Sequence, residues 1–311
     1  MKKISIITPC LNEKENLIDC CEQVKKIFSS KLKDFDYEHI IVDNNSKVET
    51  IVILKKLCSE DKKIKAVINN KNYGAARSCF NAIKYCTGDA VIPFLPSDLQ
   101  DPPDLVFDFV KKWMEGYDFV IGVRKKRQEF FVMRWVRNIF YKTIVIISGK
   151  KIYNGISDYQ IIDKKIINEM ILSDNFLPFT RILAFNYSDN YASIDYEWKK
   201  RVKGKSNDGL IVYLGTAINS LLYVTSTPFR ALLYLGFILS ICSILYIINT
   251  IYKYITIGSQ AMPGITLIII LILILSSFNF LIFGFLGEYL VSIFNIISKN
   301  QKILIREKIN F

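Results

Sequence analysis

Two charge-free apolar runs near the C-terminus constrain this 311-residue chain more than any other feature in it. Ala231 to Tyr252 carries no acidic or basic residue, and Tyr254 to Gly287 carries none either, interrupted only by Pro263–Gly264. Crossing a hydrocarbon core of about 30 Å takes roughly 20 apolar residues in a helix, and each run is long enough. They predict two transmembrane helices, near 231–252 and 265–287, that make a hairpin within residues 231–290. A mean hydropathy of +0.24 is high for a water-borne enzyme of this size and agrees.

Basic residues set the orientation. Arg230 precedes the first run, Lys299, Lys302, Arg306 and Lys308 follow the second, and the connecting loop offers only Lys253. Because positive charge stays on the cytoplasmic side, the large N-terminal part and the basic tail 291–311 are expected there. Met1–Lys2–Lys3 precedes an apolar run too short for a signal peptide. The net charge of +12 is dispersed and flanks apolar aromatic segments, which fits an anionic membrane surface and argues against a nucleic-acid partner. Cys10, Cys20, Cys21, Cys58, Cys79, Cys86 and Cys242 show no paired metal spacing and read as small core residues. His39 is the single histidine, so no histidine-based triad or zinc site is expected.

The N-terminal part repeats one unit. Lys3–Thr8 is β-branched and reads as a strand stopped by Pro9; Cys10 to Glu13 is its exit loop, and Glu15 to Phe28 carries apolar residues at helical spacing. Glu38–Val42 is a second strand that ends in Asp43–Asn44–Asn45–Ser46, followed by a helix over Val48–Cys58. Ile64–Ile68 is a third, leading through Asn69–Gly74 into a helix over Ala75–Tyr85. Ala90–Ile92 is a fourth, and the loop behind it, Phe94 to Pro103, ends in two prolines that permit neither ladder nor helix before a helix starts near Asp104. Alternating strands and helices predict a mostly parallel, Rossmann-like α/β sheet over residues 1–208.

In such sheets ligands bind outside the carboxyl ends of the strands. No G-x-G-x-x-G follows the first strand and no P-loop motif occurs anywhere, which argues against a dinucleotide oxidoreductase or a P-loop NTPase. Carboxylates stand at the strand ends instead: Glu13, Asp43 and Asp98. An acid cannot hold a pyrophosphate directly, so it implies either a divalent cation between them or hydrogen bonds to base and ribose. Farther on, Phe130 to Ile147 is apolar except for Arg134, Arg137, Asn138, Tyr141 and Lys142 on one helical face. That stripe suits an interfacial helix over 130–147, although a helix packed on the sheet shows the same pattern. A second amphipathic stretch, within the juxtamembrane segment 209–230, leads into the first apolar run.

Pro9…Asn12–Glu13, Val42–Asp43–Asn44–Asn45–Ser46, Asn72–Tyr73–Gly74 and Ser97–Asp98–Leu99–Gln100–Asp101–Pro102–Pro103 resemble the motifs of family 2 glycosyltransferases, in the branch of dolichol-phosphate mannose synthases and bacterial polyprenyl-phosphate glycosyltransferases. The resemblance continues through Gly122–Val123–Arg124, Ser157 to Asp163, Arg201 to Ser206, Thr225 to Arg230 and Gly287 to Leu290, so it spans nearly the whole chain. It implies a GT-A type fold in a bacterial inner membrane and an inverting transfer. A polyprenyl-phosphate oxygen would attack the anomeric carbon of a nucleotide sugar, with Mg²⁺ or Mn²⁺ stabilising the departing nucleoside diphosphate.

Carried onto this chain, the resemblance places Asp98 and Gln100 at the metal and makes Asp158 the base or orienting carboxylate. Pro9, Asn12, Glu13, Asp43, Tyr73, Ser97, Arg201 and Ser206 would line the donor, while Arg124, Arg134 and Arg137, with Arg127 less well placed, would meet the acceptor phosphate. Two positions depart from the pattern: Pro96 replaces the usual first aspartate of the metal pair, and Gln160 stands where an arginine is common. A nucleotide-sugar-binding scaffold without activity, or a transferase to another lipid or glycan, remains compatible with these departures. A homo-oligomer is compatible with the sequence as well.

Overall fold

In a computed structural model the described residues are 1–126, 155–172, 180–198 and 303–311, with isolated helical positions between 245 and 293. The expected interfacial helix 130–147, the juxtamembrane segment 209–230, most of both apolar runs, and Arg127, Arg134, Arg137, Arg201 and Ser206 lie outside them. Among the described residues no helix is long and apolar enough to cross a membrane. The chain divides into two compact units, one of Met1–Thr143, Lys151–Val212 and Lys299–Phe311, the other of Ile144–Lys150 and Tyr213–Ser298.

The main elements of the first unit in chain order are β1 (Lys2–Cys10), α1 (Lys14–Ser30), β2 (Phe35–Asp43), α2 (Val48–Glu60), β3 (Ile64–Asn69), α3 (Ala75–Ile83), β4 (Ala90–Ile92), α4 (Leu105–Met114), β5 (Phe119–Lys126), β6 (Ile156–Asp163), α5 (Lys164–Leu172), β7 (Tyr191–Glu197) and β8 (Ile305–Ile309). The strands form one sheet in the order β7-β5-β6-β4-β1-β2-β3-β8. From β3 through β2 and β1 to β4 every pairing is parallel, as alternating strands and helices require. β6 is antiparallel to both β4 and β5, β7 returns parallel to β5, and β8 runs antiparallel along β3.

Burial explains the elements. On α1 the side chains of Leu17, Cys20, Cys21, Val24, Ile27 and Phe28 recur at three- and four-residue spacing and are all buried. Ile4, Ile6, Ala90 and Ile92 meet Val24, Phe28, Val106 and Phe109 in one apolar cluster, while Ile41, Ala66 and Ile68 meet Leu17, Leu54 and Cys58 in another. The register puts Thr8 and His39 on that same face of β1 and β2, where Thr8 Oγ1 and His39 Nε2 lie 2.8 Å apart. On the opposite face the carboxylate of Glu38, 1% exposed, accepts from Ser5 at 2.6 Å and pairs with Lys65 at 2.7 Å.

Pro9 does not end the first strand. β1 continues to Cys10, with Pro9 opposite Val42 and Cys10 opposite Asp43. Ile7 turns its carbonyl to the β4 side, where it accepts from Leu95 N at 2.8 Å. Two residues on, Pro9 faces the same side, beyond the last β1–β4 pair at Ile6 and Ile92, so its missing N–H costs no ladder bond. The C-terminal tail, basic by sequence, supplies the edge strand β8. Asn310 follows it with φ +64° and donates to the carbonyls of Cys58 at 2.6 Å and Ile64 at 2.7 Å, and Glu307 pairs with Lys55 at 2.7 Å.

Candidate active site

Parallel strands bring their carboxyl ends to one edge of the sheet, and the four exit loops meet there. After β1, Asn12 adopts φ +58° and is laced to the loop after β2: its N–H donates to Ser46 Oγ at 2.8 Å and its Oδ1 accepts from Lys47 N at 2.8 Å. Asparagine tolerates this left-handed conformation better than a branched residue. Glu13 caps α1 through its carbonyl, which accepts from Asn16 N and Leu17 N, while its carboxylate accepts from the Asn16 amide at 2.7 Å.

Asp43 is fully buried at the end of β2; its Oδ2 accepts from Ser46 N at 3.0 Å, and its Oδ1 has no partner among the described residues. A buried acceptor without a donor is costly, so this oxygen stands out among the polar groups of the edge. Beside it burial, and then Asp43 itself, push the Cys10 thiol up to about 12, which keeps it an inert packing group. On the other face Asn44 Oδ1 accepts from Ser78 Oγ and from Asn69 Nδ2, which ties the ends of β2 and β3 to α3.

After β3, Tyr73 donates to Asn70 Oδ1 at 2.7 Å and accepts from Leu304 N at 3.1 Å, with Lys71 and Arg77 over its ring at 5.1 and 5.8 Å. After β4, Leu99 takes φ +57°, a strained conformation for leucine, and inserts its side chain into the apolar cluster beside Leu95 and Val106. That insertion leaves Asp98 and Gln100 half-buried on either side of it, with Gln100 N donating to Asp98 Oδ1 at 3.2 Å. Ser97 and Asp101 are buried.

The antiparallel strand completes the edge. β6 runs against β4, so its first residues, with half-buried Asp158, lie at the carboxyl end of β4. β5 runs against β6 and ends at the same edge with Arg124. The fold thus gathers Pro9, Asn12, Glu13, Asp43, Tyr73, Ser97, Asp98, Gln100, Arg124 and Asp158 along one side of the sheet.

Arg124 is tied along one edge of its guanidinium. Its Nε donates to Asp101 Oδ1 at 3.0 Å and its Nη2 to Asp101 Oδ2 at 2.7 Å, Tyr196 Oη shares the same carboxylate, and the Trp198 ring lies 5.3 Å away. Burial works against its charge, but Asp101 outweighs it and holds the guanidinium protonated. Tyr196 and Trp198 belong to no motif; the register of β5 with β7 sets Tyr196 opposite Arg124, and Trp198 follows the end of β7. Gln160 is fully buried in β6 opposite Ile121.

Asp98 and Gln100 are hard oxygen donors of the kind Mg²⁺ and Mn²⁺ take. Among the described residues no three His, Cys, Asp or Glu cluster to hold an ion by themselves. Asp98 and Gln100 alone would leave most of a cation's coordination to water or to a bound ligand.

Residues 5–171 match the profile of glycosyl transferase family 2, and the chain belongs to that family. It is 31% identical to the glycosyltransferase sll0501 of Synechocystis sp. over 93% of this chain and 90% of that one. It is 27% identical to the undecaprenyl-phosphate 4-deoxy-4-formamido-L-arabinose transferase of Pseudomonas fluorescens over 92% of this chain and 84% of that one. Among solved structures, the fold resembles glucosyl-3-phosphoglycerate synthase of Mycobacterium tuberculosis in complex with Mn²⁺, UDP and phosphoglyceric acid, with a TM-score of 0.52 at 16% identity over 73% of this chain and 80% of that one. The sheet thus resembles those of GT-A glycosyltransferases.

Proposed function

We propose that this glycosyltransferase moves a sugar from a nucleotide-sugar donor to polyprenyl phosphate at the cytoplasmic face of a bacterial membrane. The observation that carries the reading is the meeting of four loops at one sheet edge, where Asp43, Asp98, Gln100 and Asp158 gather. The undecaprenyl-phosphate transferase of P. fluorescens supports the acceptor class.

In this reading Asp43 Oδ1 accepts from the base, and Asn12 and Glu13 fix the loop beneath the ribose. Asp98 and Gln100 would hold a divalent cation, which when bound neutralises charge on the departing diphosphate. The acceptor phosphate is already an anion at neutral pH, so Asp158 orients it rather than removing a proton. The bond from the acceptor oxygen to C1 forms on the face opposite the breaking bond to the β-phosphate, and the configuration inverts.

Membrane placement rests on the apolar runs and on β8. Every described position between 245 and 293 is helical and none is buried, with Leu245, Ile248, Tyr252 and Ile255 exposed at helical spacing. Because β8 belongs to the same sheet as β1 to β7, a chain that crossed a membrane in the apolar runs would have to return to the side it left, which supports an even number of crossings, as two helices give. Full-length protein supplied with polyprenyl phosphate, Mn²⁺ or Mg²⁺ and a panel of nucleotide sugars is expected to form a polyprenyl-phosphate sugar. Donor binding without product for any donor would favour the second reading, a lapsed donor-binding subunit, for which Pro96 in the metal loop is the specific observation.

A further inference from the structure

We propose that Asp101, Arg124 and Tyr196 form a clamp that fixes the loop Ser97–Gln100, so that Arg124 acts as a positioning residue for that loop. The inference rests on the reading of this loop as the reacting edge of a glycosyltransferase.

The loop is gripped from two sides. Below, Leu95 and Leu99 are buried in the apolar cluster, and Leu99 accepts a left-handed backbone to get there. Above, the three strands on the far side of β4 each send one side chain across. Arg124 from β5 and Tyr196 from β7 both bind the Asp101 carboxylate, which is 1% exposed, and Tyr159 from β6 donates to the carbonyls of Pro102 and Pro103, both at 3.4 Å. Arg124 Nε also lies 3.0 Å from Tyr196 Oη, so the three groups close into a ring.

Glycine makes room for this ring at two places. A Cβ at Gly122 would come within 2.8 Å of the Tyr196 ring, and at Gly155, with φ +94°, within 2.7 Å of the Arg124 carbonyl. The backbone there is shaped around the clamp.

A guanidinium bound two-fold to a buried carboxylate has committed one edge of its planar fork. Breaking that pair would leave the Asp101 carboxylate buried with Tyr196 as its remaining partner among the described residues, which is strongly unfavourable. A fixed pair, in contrast, sets the height of Asp98, three residues before Asp101, and small displacements of a reacting group are expensive in rate.

The test uses the full-length protein in detergent or nanodiscs, with Arg124→Met, Asp101→Asn, Tyr196→Phe and the double variant Arg124→Met/Asp101→Asn. The double variant leaves no lone buried charge, and Tyr196→Phe removes only a hydroxyl, so both keep the test alive if a single charge deletion fails to fold. Amide exchange at residues 97–101 is expected to rise about tenfold or more in every folded variant, while β1 to β3 stay protected. Turnover should fall by about tenfold or more, with the KM for polyprenyl phosphate little changed in Asp101→Asn and Tyr196→Phe, and the double variant should be no worse than the poorer single one, as coupled neighbours require. Unchanged exchange at 97–101 would overturn the clamp, as would a loss in Asp101→Asn that appears in the acceptor KM alone. If the unsubstituted protein forms no product, the transferase reading falls, and the exchange measurement still decides the clamp.

Discussion

The two halves of the sheet edge hold their loops in different ways. From β1 to β3 the exit loops are laced by backbone groups and short polar side chains, Asn12 to Ser46 and Lys47, Asp43 to Ser46, Asn44 to Asn69 and Ser78. From β4 to β7 the single loop behind β4 is held by long side chains crossing between strands, Arg124, Tyr159 and Tyr196. The first half is one βαβ unit repeated, so its groups follow each strand at once in the chain. The second is assembled across an antiparallel insertion, with Asp101 and Tyr196 separated by 95 residues. A repeated unit writes its chemistry into local motifs, whereas an inserted one writes it into register.

The comparison can be tested at its sharpest point first. Asp98→Ala is expected to cost about 10²- to 10³-fold in transfer rate, the size of losing one electrostatic stabiliser, while the thermal unfolding temperature stays within a degree or two. Retained transfer would remove Asp98 from the reaction. Next in size is a pH effect from the parallel half. Burial lowers the pKa of His39 from 6.5 to about 4, so the folded protein keeps it neutral where the unfolded chain would protonate it. Its contribution is complete above the unfolded value of 6.5 and is lost as pH falls through about 4, amounting to about 3 kcal/mol. Thermal unfolding of the full-length protein across that window should show the loss, and His39→Gln should flatten it.

Smaller effects separate the two kinds of grip. Leu99→Ala removes the apolar anchor under the loop and should cost about 2 kcal/mol of stability, by the usual range for a buried leucine, together with a fall in turnover. A stable but slower variant would place the anchor's role in positioning, and an unchanged one would refute it. Asn310→Ala breaks two bonds from the chain end to α2 and β3 and is expected to cost about 1 to 2 kcal/mol in a urea unfolding series. Tyr73→Phe loses only the hydroxyl between Asn70 and Leu304, about 1 kcal/mol or less, and is expected to raise the donor KM without touching the acceptor KM. A change in acceptor KM there would erase the division between the halves.

Much of the first half was legible in the sequence because the relevant signals are local. Apolar periods of two and 3.6 gave β1 to β4 and α1 to α4 within a few residues, and the absence of a glycine-rich phosphate loop pointed to carboxylates at strand ends. Pro9 misled because a missing N–H matters only where a neighbour would accept it, and β4 has already ended there. β8 escaped notice because Ile305–Ile309 is short and mostly polar, and its reason to be a strand is the open edge of β3. That one edge of Arg124 is bound to Asp101 and Tyr196 was not legible, because no spacing in the chain connects the three.

By itself the sequence determined the class of sheet, the family, the two apolar runs and the loop that bears Asp98, all features set by pattern within a few dozen residues. Only the tertiary structure decided that the last residues close the sheet, that the Asp43 carboxylate is buried with one oxygen unmatched, and that Arg124 is bound to Asp101. The physical reason is that a side chain's charge and shape are carried by the residue, but its partner is chosen by strand register, which the whole fold fixes at once.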